Sequence, residues 1–143
     1  EGVQWPGRLE VISNQPRIIL DGAHNPHAVA PLVATMKERY GQLDKQVLFT
    51  CIQTKAIEEM LELWSGLEKS QLTLTTFEDS RAYSVRDMQE IAHQKGLPYQ
   101  EWKVFLTHYL EKKSQQSDLL LVTGSLYFLA QVRAFLIEEI SRR

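Results

Sequence analysis

The sequence predicts an α/β fold of three layers, a mainly parallel sheet with helices on both faces. Three observations carry that reading. Short runs rich in β-branched and apolar residues alternate with longer stretches whose apolar residues recur at helical spacing. The joints between them hold turn and cap residues, such as Asp21-Gly22 and Asn25-Pro26. The 143 residues are 43% hydrophobic and 24% charged, which suits one packed domain over residues 1–143 and argues against disorder.

Taken in order, Leu9 to Ser13 reads as a short strand ended by Asn14-Gln15-Pro16. It breaks the alternation and is expected at an antiparallel edge. Arg17 to Leu20 is a second strand, followed by the Asp21-Gly22 turn. Asn25 suits a helix N-cap and Pro26 the first turn, where its missing N–H costs nothing. Val29, Leu32, Val33, Met36 and Tyr40 then follow with helical period, and Gly41 marks a stop. Gln46 to Ile52 is a buried-type strand, and Ile57, Met60, Leu61, Trp64 and Leu67 form the next helical stripe. Leu72 to Phe77 reads as a strand. Ser84 with Asp87 makes a capping box for a helix with Val85, Met88, Ile91 and Ala92 on its apolar face. A short strand is expected at Leu97 to Gln100. Trp102, Phe105, Tyr109 and Leu110 stripe a further helix, and Lys112 to Ser117 is a polar helix end and loop. Asp118 to Val122 is the last strand, and Leu129, Val132, Leu136 and Ile140 line the last helix.

The net charge of -2 gives no electrostatic case for nucleic acid or an anionic membrane. No apolar run is long enough to span a bilayer. The single cysteine, Cys51, excludes an internal disulfide, is expected to be buried and inert in its strand, and suggests the cytoplasm. Trp5, Trp64 and Trp102 read as packing residues. The opening Glu1-Gly2-Val3-Gln4-Trp5-Pro6 reads like mid-chain sequence, so a longer parent is expected.

In an open parallel sheet, ligands bind beyond the carboxyl ends of the strands, where loops lead into helix N-termini. The loops there are Asp21 to Pro26, Gln53-Thr54-Lys55, Glu78 to Ala82 and Thr123-Gly124-Ser125. Together they offer a carboxylate, an imidazole, cations, hydroxyls and backbone donors. That set suits a polyanion together with a charged amino acid or a sugar, and names no reaction. Asp21, His24, Arg81 and Ser125 are expected on one rim, with the Asp21 loop facing solvent. Each has a plain alternative. Asp21 can brace a turn, Asn25 and Ser125 can start helices, and Arg8 and Arg81 can be surface charges. His24 and His27, with one cysteine in the chain, make a poor zinc site, and no G-x-S-x-G marks Ser125 as a nucleophile.

Three stretches carry a resemblance. Trp5-Pro6-Gly7-Arg8-Leu9-Glu10-Val11, Leu20-Asp21-Gly22-Ala23-His24-Asn25-Pro26-His27-Ala28, and Val122-Thr123-Gly124-Ser125-Leu126-Tyr127-Phe128 resemble signature stretches of the folylpolyglutamate synthases in order and spacing. Those enzymes are Mur ligases, and this chain is similar to their Rossmann-like C-terminal domain. The resemblance implies an ATP-dependent ligase of the tetrahydrofolate synthase type, joining L-glutamate to folate or dihydropteroate through an acyl phosphate. It implies partners in ATP, with magnesium held mainly by the parent's own N-terminal P-loop ATPase domain. It also implies a monomer, and an isolated domain without activity. No G-x-x-x-x-G-K-[ST] occurs in these 143 residues. By position, Arg8 resembles the arginine that reaches ATP phosphates, and Asp21 the aspartate that meets the nucleotide through ribose hydroxyls or water. His24 and Ser125 resemble residues beside the glutamate and acyl phosphate, His24 in a catalytic and a substrate-binding role and Ser125 in a substrate-binding one. Lys55 lacks the flanking carboxylates of many relatives. Other readings are another Mur-type ligase, of cell-wall or cyanophycin synthesis, and a non-catalytic nucleotide or amino-acid binding module.

Overall fold

The computed structural model describes residues 7–111 and 117–143. Trp5, Pro6 and most of the polar Lys112–Ser117 stretch therefore lie outside the described residues. Five strands form one sheet: β1 (Glu10–Asn14), β2 (Arg17–Asp21), β3 (Lys45–Phe49), β4 (Ser70–Leu74) and β5 (Leu119–Thr123), in the order β1-β2-β5-β3-β4. β1 pairs with β2 antiparallel at the edge, and every other neighbouring pair is parallel. This is the predicted α/β architecture with its single antiparallel edge.

Helices cover both faces because the buried strands are apolar on both sides, as parallel strands must be. Ile19, Val47, Phe49, Leu119 and Leu121 face one layer, made by α1 (Pro26–Tyr40), α2 (Ile57–Ser65) and α3 (Val85–Lys95). Ile18, Leu20, Leu48, Leu120 and Val122 face the other, made by α4 (Trp102–Glu111) and α5 (Leu126–Arg142). Trp64 and Trp102 are buried in the first and second layers respectively. The helices start where the sequence places their caps. Asn25 Oδ1 accepts from Ala28 N at 2.9 Å, and Ser84 Oγ accepts from Asp87 N at 3.0 Å. No helix among the described residues is long and apolar enough to cross a membrane.

Some expectations need correction. Leu97 to Gln100 is not a strand. Gln100 N–H donates to Leu74 O and Leu74 N–H to Pro98 O, but Tyr99 makes only a single bridge with Leu74. Pro98 has no N–H with which to carry a ladder further. The third strand ends at Phe49, so Cys51 lies just past it, not in it. Cys51 is buried all the same, and burial lifts its thiol to about 12.

Candidate functional site

β2 ends at Asp21 and β5 at Thr123, and these two residues are register partners in adjacent strands. The chain leaves β2 toward one helical layer and β5 toward the other, the place where open α/β sheets bind their ligands. The three signature stretches meet at this corner. Gly22 N–H donates to Gly7 O at 2.7 Å. A Cβ on Gly22 would lie 2.4 Å from Leu126 Cδ2, so the Leu126 side chain occupies the notch that a bare backbone leaves. Gly124 is constrained more severely. Its φ is +129°, and a Cβ there would fall 1.5 Å from Thr50 O at the end of β3.

Asp21 does not sit on an open, solvent-facing loop, which corrects the expectation. Its Oδ2 accepts from Leu9 N and its Oδ1 from Ala23 N, each at 3.0 Å, so the half-buried carboxylate ties β2's end to the residue 7–10 turn. Burial raises its carboxyl above the usual range, opposed by those two N–H groups and by the charge of Arg8. Arg8 itself is exposed, between Gly7 at φ 77° and Leu9 at φ 47°. His24 is exposed, with Nδ1 3.0 Å from Gly22 O. A proton on Nδ1 would be donated to that carbonyl, leaving Nε2 as the acceptor. Ser125 departs from the expectation of a side chain open to the rim: it is 3% exposed, and its Oγ accepts from Tyr127 N at 3.1 Å and Phe128 N at 3.4 Å as the N-cap of α5.

The loops after β3 and β4 make the other half of the rim. Thr54 N–H donates to Tyr83 Oη at 3.2 Å, and Tyr83 Oη donates to Thr54 O at 2.9 Å. Gln53 N–H donates to Arg81 O at 2.8 Å, which ties the two loops together a second time. Arg81 forks onto Asp79 at 2.8 and 2.7 Å, and its Cζ lies 3.9 Å over the Tyr127 ring. Hydrogen bonds from Arg81 pull the Asp79 carboxyl down to about 2. Lys55 is exposed on the same loop pair. Arg81 thus joins the two halves across the Tyr127 ring. Sequence reasoning passed over Tyr83 and Arg133, and gave Glu10 no role beyond its place in the first of the three resembling stretches. Each acts through a partner distant in the chain, and no local pattern marks it.

A concavity of about 290 Å³ lies at the opposite, amino rim, lined by Arg17, Lys37, Arg39 and Tyr40 among others. Its neighbour Lys45 is buried, with Nζ donating to Tyr40 O at 3.0 Å and Leu43 O at 2.7 Å. That ammonium closes the end of α1, where carbonyls lack helical partners. The volume belongs to a helix terminus, and the reactive groups gather at the other end of the sheet.

The sequence model of the Mur ligase glutamate ligase domain matches residues 7–126. The chain is similar to a dihydrofolate synthase/folylpolyglutamate synthase of Bacillus subtilis, 30% identical over 129 residues that cover 90% of this chain and 30% of that protein. Its structure resembles a bifunctional folylpolyglutamate synthase/dihydrofolate synthase of Yersinia pestis complexed with AMPPNP and a Mn ion, with a TM-score of 0.74 and 27% identity, covering 93% of this chain and 32% of that one. A bifunctional folylpolyglutamate synthase/dihydrofolate synthase with Mn, AMPPNP and L-glutamate bound gives a TM-score of 0.75 at 25% identity, again covering 93% of this chain and 32% of the other. The chain spans about a third of the length of these relatives.

Proposed function

Because this chain belongs to the Mur ligase family, through its glutamate ligase domain, we propose that it is the C-terminal domain of a cytoplasmic, monomeric ATP-dependent ligase that adds L-glutamate to folate or dihydropteroate. The observation that carries this reading is the convergence of residues 7–10, 21–25 and 123–127 on one corner, fixed by the Gly22 N–H to Gly7 O bond and by Leu126. The donor set there fits a polyphosphate and an amino acid. Arg8 offers an exposed guanidinium fork, suited to phosphate oxygens. His24 offers an exposed imidazole that can accept a proton.

In this reading ATP supplies a phosphoryl group to the acceptor carboxylate, the glutamate amino group displaces phosphate from the acyl carbon, and the amine gives up a proton. Arg8 steers the phosphates. Asp21 serves the nucleotide chiefly by holding the Arg8 turn, and can add a ribose or water contact through its outer lone pairs. His24 lies on the glutamate side, catalytic and substrate-binding, and Ser125 supports that side by fixing the start of α5. The P-loop and the magnesium ligands belong to the N-terminal domain of the parent.

The chain alone is then half of a site. Positioning counts only when both halves are held together, so the chain is expected to bind Mg-ATP no better than about millimolar, roughly 4 kcal/mol. It should release no phosphate with glutamate and a folate acceptor. The full-length protein should turn over. There, His24→Ala and Ser125→Ala should each weaken glutamate far more than ATP in steady-state kinetics. Micromolar ATP affinity or turnover by the chain alone would overturn the half-site reading, and an ATP-directed defect would move His24 and Ser125 to the nucleotide side.

A further inference from the structure

Arg8 stands between two residues with left-handed backbone, Gly7 and Leu9. A leucine adopts that conformation only where its surroundings hold it there, and this turn is held from two directions. From β2, Asp21 Oδ2 accepts from Leu9 N at 3.0 Å. From β1, Glu10 folds back so that its Oε1 accepts from Gly7 N at 3.0 Å. Glu10 is in turn gripped from α5. Arg133 Nη2 donates to Glu10 Oε1 at 2.6 Å and Arg133 Nε donates to Oε2 at 3.2 Å, a two-bond fork across 123 residues of sequence. Both side chains are largely withdrawn from solvent, Arg133 at 27% and Glu10 at 19% exposure, so the pair is screened less than a surface pair. Leu126 and Leu129 lie on the same stripe of α5 as Arg133, at spacings of three and four residues, and both reach the Gly7 position.

We propose that Glu10 and Arg133 are positioning residues for Arg8: their forked pair, together with the Leu126–Leu129 stripe, sets the residue 7–10 turn so that the Arg8 guanidinium is presented to the nucleotide phosphates. The proposal rests on the reading of Arg8 as a phosphate ligand and adds two residues that touch no substrate. The chemistry favours a fork here. A bidentate guanidinium–carboxylate pair fixes direction as well as distance, which an ammonium cannot do. Glu10 uses one oxygen twice, for Gly7 and for Arg133, so loss of Arg133 frees the carboxylate that holds Gly7. Hydrogen bonds from Arg133 keep that carboxyl below its usual range against the opposing effect of burial, and the Gly7 N–H adds to them. The anchor is therefore charged wherever the enzyme would work.

The test is a double-mutant cycle in the full-length protein. Arg133→Met keeps the aliphatic stem and removes the fork. It should raise the ATP KM about tenfold while the glutamate KM stays within about twofold. Arg133→Lys should recover only part of the loss. In an Arg8→Ala background, Arg133→Met should add nothing further, because the residue acts through Arg8. Amide hydrogen exchange in the same protein should show Gly7 and Leu9 exchanging faster in Arg133→Met. Equal kinetic losses in both backgrounds, or a lower Tm with an unchanged ATP KM, would make the pair a brace between β1 and α5 and overturn the proposal. Arg8→Ala with an unchanged ATP KM would remove the phosphate reading of Arg8, and the positioning role with it. Unchanged exchange at Gly7 and Leu9 would overturn the clamp whatever the kinetics.

Discussion

The two halves of the carboxyl rim are held by different means. In the half built from residues 7–10, 21–25 and 123–127, polar side chains are spent on backbone. Asp21 holds Leu9 and Ala23, Glu10 holds Gly7, and Asn25 and Ser125 cap helices. In the half built from residues 50–56 and 76–84, side chains tie loop to loop: the Tyr83 hydroxyl holds Thr54, Gln53 Nε2 donates to Ala82 O and Thr76 Oγ1 donates to Tyr83 O, while Lys55 and Arg81 stay exposed. The first half contains the family's signature stretches, so most of its distinctive residues shape the corner, and few are left to touch a ligand. Arg8 and His24 remain exposed there, as Lys55 and Arg81 do in the second half. The difference predicts that substitutions in the first half damage fold and function together, and that those in the second leave the fold nearly untouched.

The sharpest way to break that contrast is Gly124→Ala. Its Cβ would lie 1.5 Å from a backbone oxygen, and the φ of +129° is strained for any side chain. Neither the β5 end nor the β3 end can retreat without disturbing the sheet, so a loss above about 4 kcal/mol or failure to fold is expected. Thr54→Ala, on the other half, removes one acceptor from Ala56 N–H and should cost about 1 kcal/mol. Chemical denaturation of the two variants side by side measures the ratio. A Gly124→Ala protein that melts with its parent would show that the approach of Thr50 to Gly124 is not obligatory.

A middle-sized effect separates Asp21 from Tyr83. Asp21→Ala takes one acceptor from Leu9 N–H and one from Ala23 N–H, and about 2 kcal/mol of stability should go with them. Tyr83→Phe loses the Thr54 bonds at a half-buried hydroxyl and should cost about 1 kcal/mol. Asp21→Asn adds a sign. Burial raises the folded carboxyl above its unfolded value, so what Asp21 contributes is fully present below the unfolded value and declines as pH rises through the folded one. The asparagine variant should therefore compare worst with the parent in acid and better near neutrality. In the full-length protein Asp21→Ala should also raise the ATP KM or lower kcat by about a decade or more. Lost stability with unchanged kinetics would leave Asp21 as a turn brace alone.

How much of this could be read from the sequence follows the same division. The alternation of elements, the antiparallel first strand, and the caps at Asn25 and Ser84 are local signals, and they were legible. The gathering of Asp21 and Ser125 at one rim follows from the rule that loops after parallel strands share an edge. The burial of Ser125 was less legible, because a hydroxyl at a helix start can equally face a ligand or cap the helix. Asp21 misled for a related reason. An Asp-Gly pair signals a turn, but its second oxygen reaches Leu9, twelve residues back, and nothing in the local pattern announces that bond. The Glu10–Arg133 fork and the Arg81–Tyr127 stack are tertiary events between segments with no shared periodicity. Leu97 to Gln100 failed as a strand because its apolar and aromatic residues suit β structure while Pro98 cannot donate to a ladder.

The smallest expected effect tests the second half on its own terms. Arg81 is exposed and Asp79 only partly so, and solvent around the guanidinium limits what the pair contributes to stability. Asp79→Asn should therefore leave the Tm unmoved. The pair is still legible in titration. The Arg81 fork depresses the Asp79 carboxyl from 3.8 to about 2, so whatever it contributes is present above the ordinary value and is lost as pH falls through about 2. An NMR titration of the Asp79 carboxyl should show that low midpoint. In Arg81→Gln the midpoint should return toward the ordinary carboxylate range, because the guanidinium hydrogen bonds that hold the carboxylate charged are gone. Tyr127→Leu removes the ring under the guanidinium but leaves the fork to Asp79, so it should disturb the midpoint much less. An Asp79 midpoint in the ordinary range in the parent protein would mean that the fork is only one of many arrangements of Arg81. The seam between the two halves would then rest on the Gln131 Nε2 to Glu78 O bond, and Arg81 would be free to swing to an incoming anion.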